Sequence, residues 1–322
     1  MRACPEDEPV AWHAHEVPHS SAETCFPPSQ SGLESQHGRT RSEHRRPSER
    51  SNEDPDMQSF TSSGQQIAVE WFAASGRLTE GQRSLSARPA VLLLHGADGL
   101  TYADGYRLAA RTIAASGYHV AFVHYLDRTG DQRVAYARLR QDFPSWTETI
   151  RDSVSWLAAQ PGVDARGLGI VGLSLGAALA FATVAYEPRV RAIVVYSGPL
   201  PDELAGQRPR LPPTLILHGA SDRIVPDSHA LAVERLLQEQ GTPHEIKIYE
   251  GQGHGLTGAA QFDAAVRVAR FLGQHLKPAS NLRGCLTGQA QGYAPSSPNG
   301  SRVIPSSNSS AASTCSGISA IS

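Results

Sequence analysis

Five short runs of apolar residues, spaced by helical patterns, limit what this chain can build. They are Ala90-Val91-Leu92-Leu93-Leu94, Val120-Ala121-Phe122-Val123, Gly169-Ile170-Val171, Ala192-Ile193-Val194-Val195 and Thr214-Leu215-Ile216-Leu217. Each lacks the alternation of a half-exposed strand, so each reads as a strand covered on both faces. His244 to Tyr249 alternates more, with Ile246 and Ile248 on one face, as near a sheet edge. Gln66 to Phe72 reads as a first strand, one of an antiparallel pair. Between them, Trp146, Ile150, Val154 and Leu157 form a helical stripe over Ser145 to Ala159. Ala177 to Ala185 and Ser228 to Gln240 (closed by Gly241) also read as helices, as does the stripe from Phe262 to Leu276. Buried strands alternating with amphipathic helices predict an α/β fold, a mostly parallel sheet with helices on both faces. Right-handed crossovers then bring the strand C-termini to one rim, where ligands bind.

The pattern is confined to 57–278, a stretch of 21 basic and 20 acidic residues. Residues 1–56 hold eleven Asp/Glu, six Arg and five His with no apolar period, and composition predicts a disordered N-terminal extension. Met57 stands where the pattern changes and is read as the natural start. Residues 279–322 hold twelve Ser and no acidic residue, which predicts a disordered Ser-rich tail. The net charge of −2 argues against a nucleic-acid partner, and no apolar run is long enough for a membrane helix. All four cysteines (Cys4, Cys25, Cys285, Cys315) lie outside 57–278, so the core has no thiol nucleophile, and a cytoplasmic location is the expectation. Nothing in the sequence decides between a monomer and a homodimer. No metal motif or cofactor motif is found: Gly167 to Gly172 spells G-x-G-x-x-G, but its glycines bracket a strand instead of following one.

What the strand ends carry is more specific. The strand ending at Val171 runs into Gly172-Leu173-Ser174-Leu175-Gly176 and then a helix, which is G-x-S-x-G in strand–turn–helix context. A serine on such a sharp turn projects its hydroxyl above the sheet, and only very small residues fit two positions to either side. Asp222 lies on the loop after the Thr214–Leu217 strand, and His254 lies between glycines after the strand ending near Tyr249. Ser174, Asp222 and His254, in that chain order and each past a strand end, follow the order of alpha/beta hydrolases. Ser174 is then the nucleophile, His254 its base and Asp222 the group that orients the imidazole. Leu175 N–H and Ala97 N–H, the latter on the loop His95-Gly96-Ala97-Asp98-Gly99, are the expected oxyanion donors, with His95 bracing the loop. Asp98 is either a cleft group or a turn residue. His124 and Tyr125 end a strand and are candidates to line the cleft, with a structural role as the competing reading.

These residues together resemble the dienelactone hydrolases, a small cap-less branch of the alpha/beta hydrolases, over most of 60–277. The resemblance rests on His95–Leu100, the segment from Arg128 to Phe143, the elbow at Ser174, the Asp222 loop and the Gly-x-Gly-His254 loop. It implies the alpha/beta-hydrolase fold without a large cap domain. It also marks three departures: Ser174 where the prototypes carry Cys, Gly96 where they carry Glu, and Gly258 where they carry an Arg that binds a substrate carboxylate. Arg133, Arg138 and Arg140 are candidates to replace that Arg. The expectation is a serine hydrolase that cleaves small-molecule carboxylic esters or lactones through an acyl-enzyme. The alternatives are a peptidase or thioesterase of the same fold, and a catalytically silent ligand-binding module. The short connection from Ser197 to Pro212, with Leu200, Pro201, Leu204 and Pro209 as a small rim, suggests an open cleft for short acyl groups.

Overall fold

The computed structural model describes residues 55–75, 87–134, 136–201, 204 and 209–276. The expected N-terminal extension, except for its last two residues, and the Ser-rich tail lie outside the described residues, and with them all four cysteines, two in each.

Eight strands form one sheet: β1 (Asp56–Ser62), β2 (Gln65–Phe72), β3 (Arg88–Leu94), β4 (His119–Val123), β5 (Val163–Leu173), β6 (Val190–Tyr196), β7 (Thr214–Gly219) and β8 (His244–Tyr249). Their spatial order is β1-β2-β4-β3-β5-β6-β7-β8. β1 pairs antiparallel with β2, and β2 antiparallel with β4. From β4 to β8 all pairs are parallel. β1 begins one residue ahead of Met57, with Asp56 paired to Trp71.

Five helices cover the sheet: α1 (Ala103–Ala115), α2 (Leu139–Ala158), α3 (Leu175–Val184), α4 (Ser228–Glu239) and α5 (Gly258–His275). The pleat sorts the strand residues between two cores. Ala90, Leu92 and Leu94 of β3 pack with Trp146, Ile150, Val154 and Leu157 of α2 and with residues of α3 and α4. Val91 and Leu93 pack on the other face with Tyr106 and Ala110 of α1 and Val268, Phe271 and Leu272 of α5. Two sheltered faces explain why these strands read as continuous apolar runs, and edge strand β8 explains its alternation.

Two elements differ from expectation. α2 begins at Leu139, ahead of the expected Ser145, with Pro144 inside its second turn. There proline removes one early bond of the ladder, a small loss beside the face buried through Trp146, Ile150, Val154 and Leu157. α1, which the stripe search did not find, buries only four of its residues, a narrow signal in sequence.

The order of strands reverses at β3: the chain passes from β3 to β4 on one side, and β5 returns on the other. The crevice above β3 is the switch point at which open α/β sheets bind ligands. The loop at 95–99 and the turn at Ser174 both leave the sheet there.

Candidate active site

Ser174 sits between β5 and α3 with φ 53° and ψ −115°, a conformation that a non-glycine residue adopts only when its surroundings impose it. The surroundings do so through two glycines. A Cβ at Gly172 would lie 2.4 Å from Gly176 O, and one at Gly176 would lie 2.5 Å from Leu94 O and 2.6 Å from His95 O. The elbow therefore closes on itself and presses against the end of β3. The Ser174 amide donates to Tyr196 O at 2.9 Å, tying the turn to β6.

Asp222 and His254 are brought together by loop packing. A Cβ at Gly219 would lie 2.2 Å from Gly253 O, so the end of β7 and the 251–255 loop meet backbone to backbone. The Ser221 amide donates to Gln252 O at 2.8 Å and locks the two loops. His254 Nδ1 then donates to Asp222 Oδ2 at 2.8 Å. Asp222 Oδ1 accepts the amides of Ile224 (2.9 Å) and Val225 (3.0 Å). His218, which the sequence reading did not single out, places Nε2 3.4 Å from Asp222 Oδ2 and donates to Val225 O at 2.9 Å. Burial opposes the Asp222 charge, but hydrogen bonds from His218, His254 and the Val225 amide outweigh it and hold the carboxyl far below its ordinary range. The Nδ1–H tautomer leaves His254 Nε2 as a free acceptor. No hydrogen bond joins Ser174 and His254 among those of the described residues; such bonds often tighten only once substrate is bound.

The 95–99 loop is aimed by its carbonyls. Gly96 O accepts from His95 Nδ1 (2.8 Å), the Gly99 amide (3.1 Å) and the Tyr125 hydroxyl (3.4 Å). In a planar trans peptide the N–H opposes the C=O, so three donors beneath Gly96 O turn the Ala97 N–H the other way. The Val134 amide holds Ala97 O at 2.8 Å, and the Gly96 amide is taken by the Tyr106 hydroxyl at 2.9 Å. Leu175 opens α3, so its N–H has no partner within the helix. His95 braces the loop as expected. It does so as a neutral ring, because burial lowers its pKa to about 4 against the opposing Gly96 carbonyl bond.

Three expected substrate contacts are engaged elsewhere. Tyr125 is fully buried, with its ring stacked on His95 at 4.1 Å and its hydroxyl donating to His95 O at 2.9 Å; the turn after β4 carries it beneath the loop, away from the cleft. His124 Nε2 bonds Glu70 Oε1 of β2 at 3.1 Å, and Arg107 reaches the same carboxylate at 2.8 Å. Burial works against the Glu70 charge, but these partners lower its pKa to about 2. Arg138 is held between Asp131 (3.0 Å) and Asp142 (2.7 Å), so two carboxylates already occupy it. Of the rim residues, Pro201 and Leu204 are buried, and Leu204 belongs to the core with α2 and α3. Asp98 remains beside the elbow. Among the described residues, no group of His, Cys, Asp and Glu could hold a metal ion, and no helix is long and apolar enough to cross a membrane.

The chain is similar to two curated proteins. One, from Yersinia pestis, is named "Putative carboxymethylenebutenolidase"; it is 25% identical over 162 residues, 45% of this chain and 60% of that protein. The other is the esterase YpfH of Escherichia coli, 26% identical over 127 residues, 37% of this chain and 50% of that protein. The chain thus spans between half and 60% of the length of these relatives. Among solved structures it superposes on a dienelactone hydrolase-like promiscuous phosphotriesterase, P91, from metagenomic libraries. The TM-score is 0.57 at 20% identity, over 68% of this chain and 97% of that one, a likeness of fold. The sheet is that of an alpha/beta hydrolase, with no large cap among the described residues. The sequence model of the dienelactone hydrolase family matches residues 76–270, more than half of the chain, and the chain belongs to that family of hydrolases.

Proposed function

We propose that the protein is a serine hydrolase of small carboxylic esters or lactones, acting through an acyl-enzyme. The observation that carries this reading is the 2.8 Å bond from His254 Nδ1 to a buried, strongly acidic Asp222, past the ends of β8 and β7, on the same rim of the parallel sheet as the elbow of Ser174 after β5. Ser174 Oγ attacks the carbonyl carbon while His254 Nε2 takes its proton. The carbonyl oxygen becomes an oxyanion between the Ala97 and Leu175 amides, with the N-terminus of α3 adding its partial positive charge. The imidazolium, stabilised by Asp222, returns the proton to the leaving alcohol as the C–O bond breaks. Water then repeats the cycle on the acyl-serine, giving the carboxylic acid and restoring Ser174.

In this reading Arg138, already paired with Asp131 and Asp142, is not the group that receives a substrate carboxylate. A fluorophosphonate probe tests it: the folded protein gains one adduct, mapped to Ser174 by mass spectrometry. The adduct is lost in Ser174→Ala and slowed at least ~100-fold in His254→Ala, within the range for removal of a general base. A folded protein that takes no adduct and hydrolyses no ester would instead be a silent binding module.

A further inference from the structure

One carboxyl beside the elbow has no task in this chemistry. A Cβ built on Gly96 would lie 2.6 Å from Asp98 Oδ1 and 3.4 Å from Ser174 Cβ, so a gap of about one methyl group separates the carboxyl from the nucleophile's side chain. Oδ1 accepts the Tyr106 hydroxyl at 3.3 Å. Oδ2 is buried and makes no hydrogen bond. The local turn is closed by the Asp98 main-chain carbonyl, which accepts Thr101 Oγ1 at 2.7 Å and the Thr101 amide at 3.3 Å. The charged groups acting on the carboxyl are His254 and Arg133. Burial raises its pKa above the ordinary value, against its own main-chain N–H, the Tyr106 bond and these two charges. A buried carboxyl oxygen without a donor is unfavourable, and a ligand that supplies an N–H or O–H there removes the penalty.

We propose that Asp98 is a specificity residue whose carboxyl, with Oδ1 towards the gap beside Ser174, receives a hydroxyl or ammonium donor carried by the substrate close to its scissile carbonyl. This rests on the reading of Ser174 as nucleophile and adds to it the substrate class: short esters bearing a hydrogen-bond donor within a few bonds of the carbonyl. Plain alkyl esters leave the carboxyl without that donor and are discriminated against.

The test compares kcat/KM for three esters of matched shape, ethyl butanoate, ethyl 3-hydroxybutanoate and ethyl 3-aminobutanoate, followed by acid release. In the unmodified protein at least one donor-bearing ester exceeds ethyl butanoate by about 10- to 100-fold, the worth of a hydrogen bond to a charged group. In Asp98→Ala that ratio falls towards one. Asp98→Asn keeps an acceptor oxygen without the charge, so it retains part of a hydroxyl preference and loses an ammonium preference. Each ratio is taken within one protein, so any inactive fraction cancels, and a merely structural Asp98 would lower all three rates together. Equal rates on all three esters, or a ratio that survives Asp98→Ala, overturn the role of Asp98 and leave ester hydrolysis standing. Turnover of none of the three overturns both.

Discussion

Replacing Asp222 with Asn exchanges one carboxylate oxygen of the proposed machinery for an NH2 group and removes a charge. Asp222 Oδ1 accepts two amides, from Ile224 and Val225, at 2.9 and 3.0 Å, whereas Oδ2 faces His254 Nδ1 at 2.8 Å. If the Asn carbonyl takes the Oδ1 place, both amides stay bonded and the NH2 points at Nδ1. Nδ1 must then become an acceptor, which moves the ring proton to Nε2, where it can no longer receive the Ser174 proton. The expected loss is ~10⁴-fold in kcat, about 5.5 kcal/mol at 1.36 kcal/mol per decade. If the Asn flips, the tautomer is kept but the NH2 faces two amide donors. Leaving those two amides without an acceptor costs about 2–6 kcal/mol, at ~1–3 kcal/mol each. Both orientations are unfavourable, so no rearrangement of the Asn itself restores the active state cheaply. The assay is initial-rate hydrolysis of p-nitrophenyl acetate by Asp222→Asn, beside circular dichroism to confirm the fold. A kcat within tenfold of the unmodified protein would refute the tautomer argument. Asp227 would then be the next carboxylate to substitute.

Tyr125→Phe keeps the ring stacked on His95 but removes the donor to His95 O, with an expected loss of ~1–3 kcal/mol in urea unfolding. For its proposed positioning of the Ala97 amide, the substitution should lower kcat about tenfold with KM nearly unchanged; an unchanged kcat, or a change confined to KM, would contradict the peptide-orientation argument. Glu70 has its pKa lowered from 4.5 to about 2, which corresponds to about 3 kcal/mol of stability. A depressed carboxylate stabilises above its unfolded pKa, and that contribution fades as pH falls from about 4.5 through 2. Glu70→Gln is therefore expected to be ~3 kcal/mol less stable in urea at pH 7, with the difference shrinking as pH falls below about 4.5. A gap that stays constant with pH would show that its ion pairs are not the source.

The sequence by itself determined the layers and the strand ends past which Ser174, Asp222 and His254 stand. Continuous apolar runs require two covered faces, and the edge strand His244–Tyr249 betrays itself by alternation. The strand–turn–helix context and Gly172, whose Cβ would meet Gly176 O, mark the elbow locally, whereas the crowding at Gly176 comes from Leu94 and His95 of another strand end. Which side chains face the cleft was decided only by the tertiary structure. Tyr125 and His124 look alike in sequence, two polar aromatics at a strand end, yet one goes beneath the 95–99 loop and the other to Glu70. Pro201 and Leu204 look like a rim and are buried. Tyr106, ten residues past Gly96, and Val134, further still, hold the 95–99 loop by hydrogen bonds that no periodicity reports. Local sterics and burial pattern are written in neighbouring residues; the direction of one N–H depends on donors that meet its peptide only after the chain has folded.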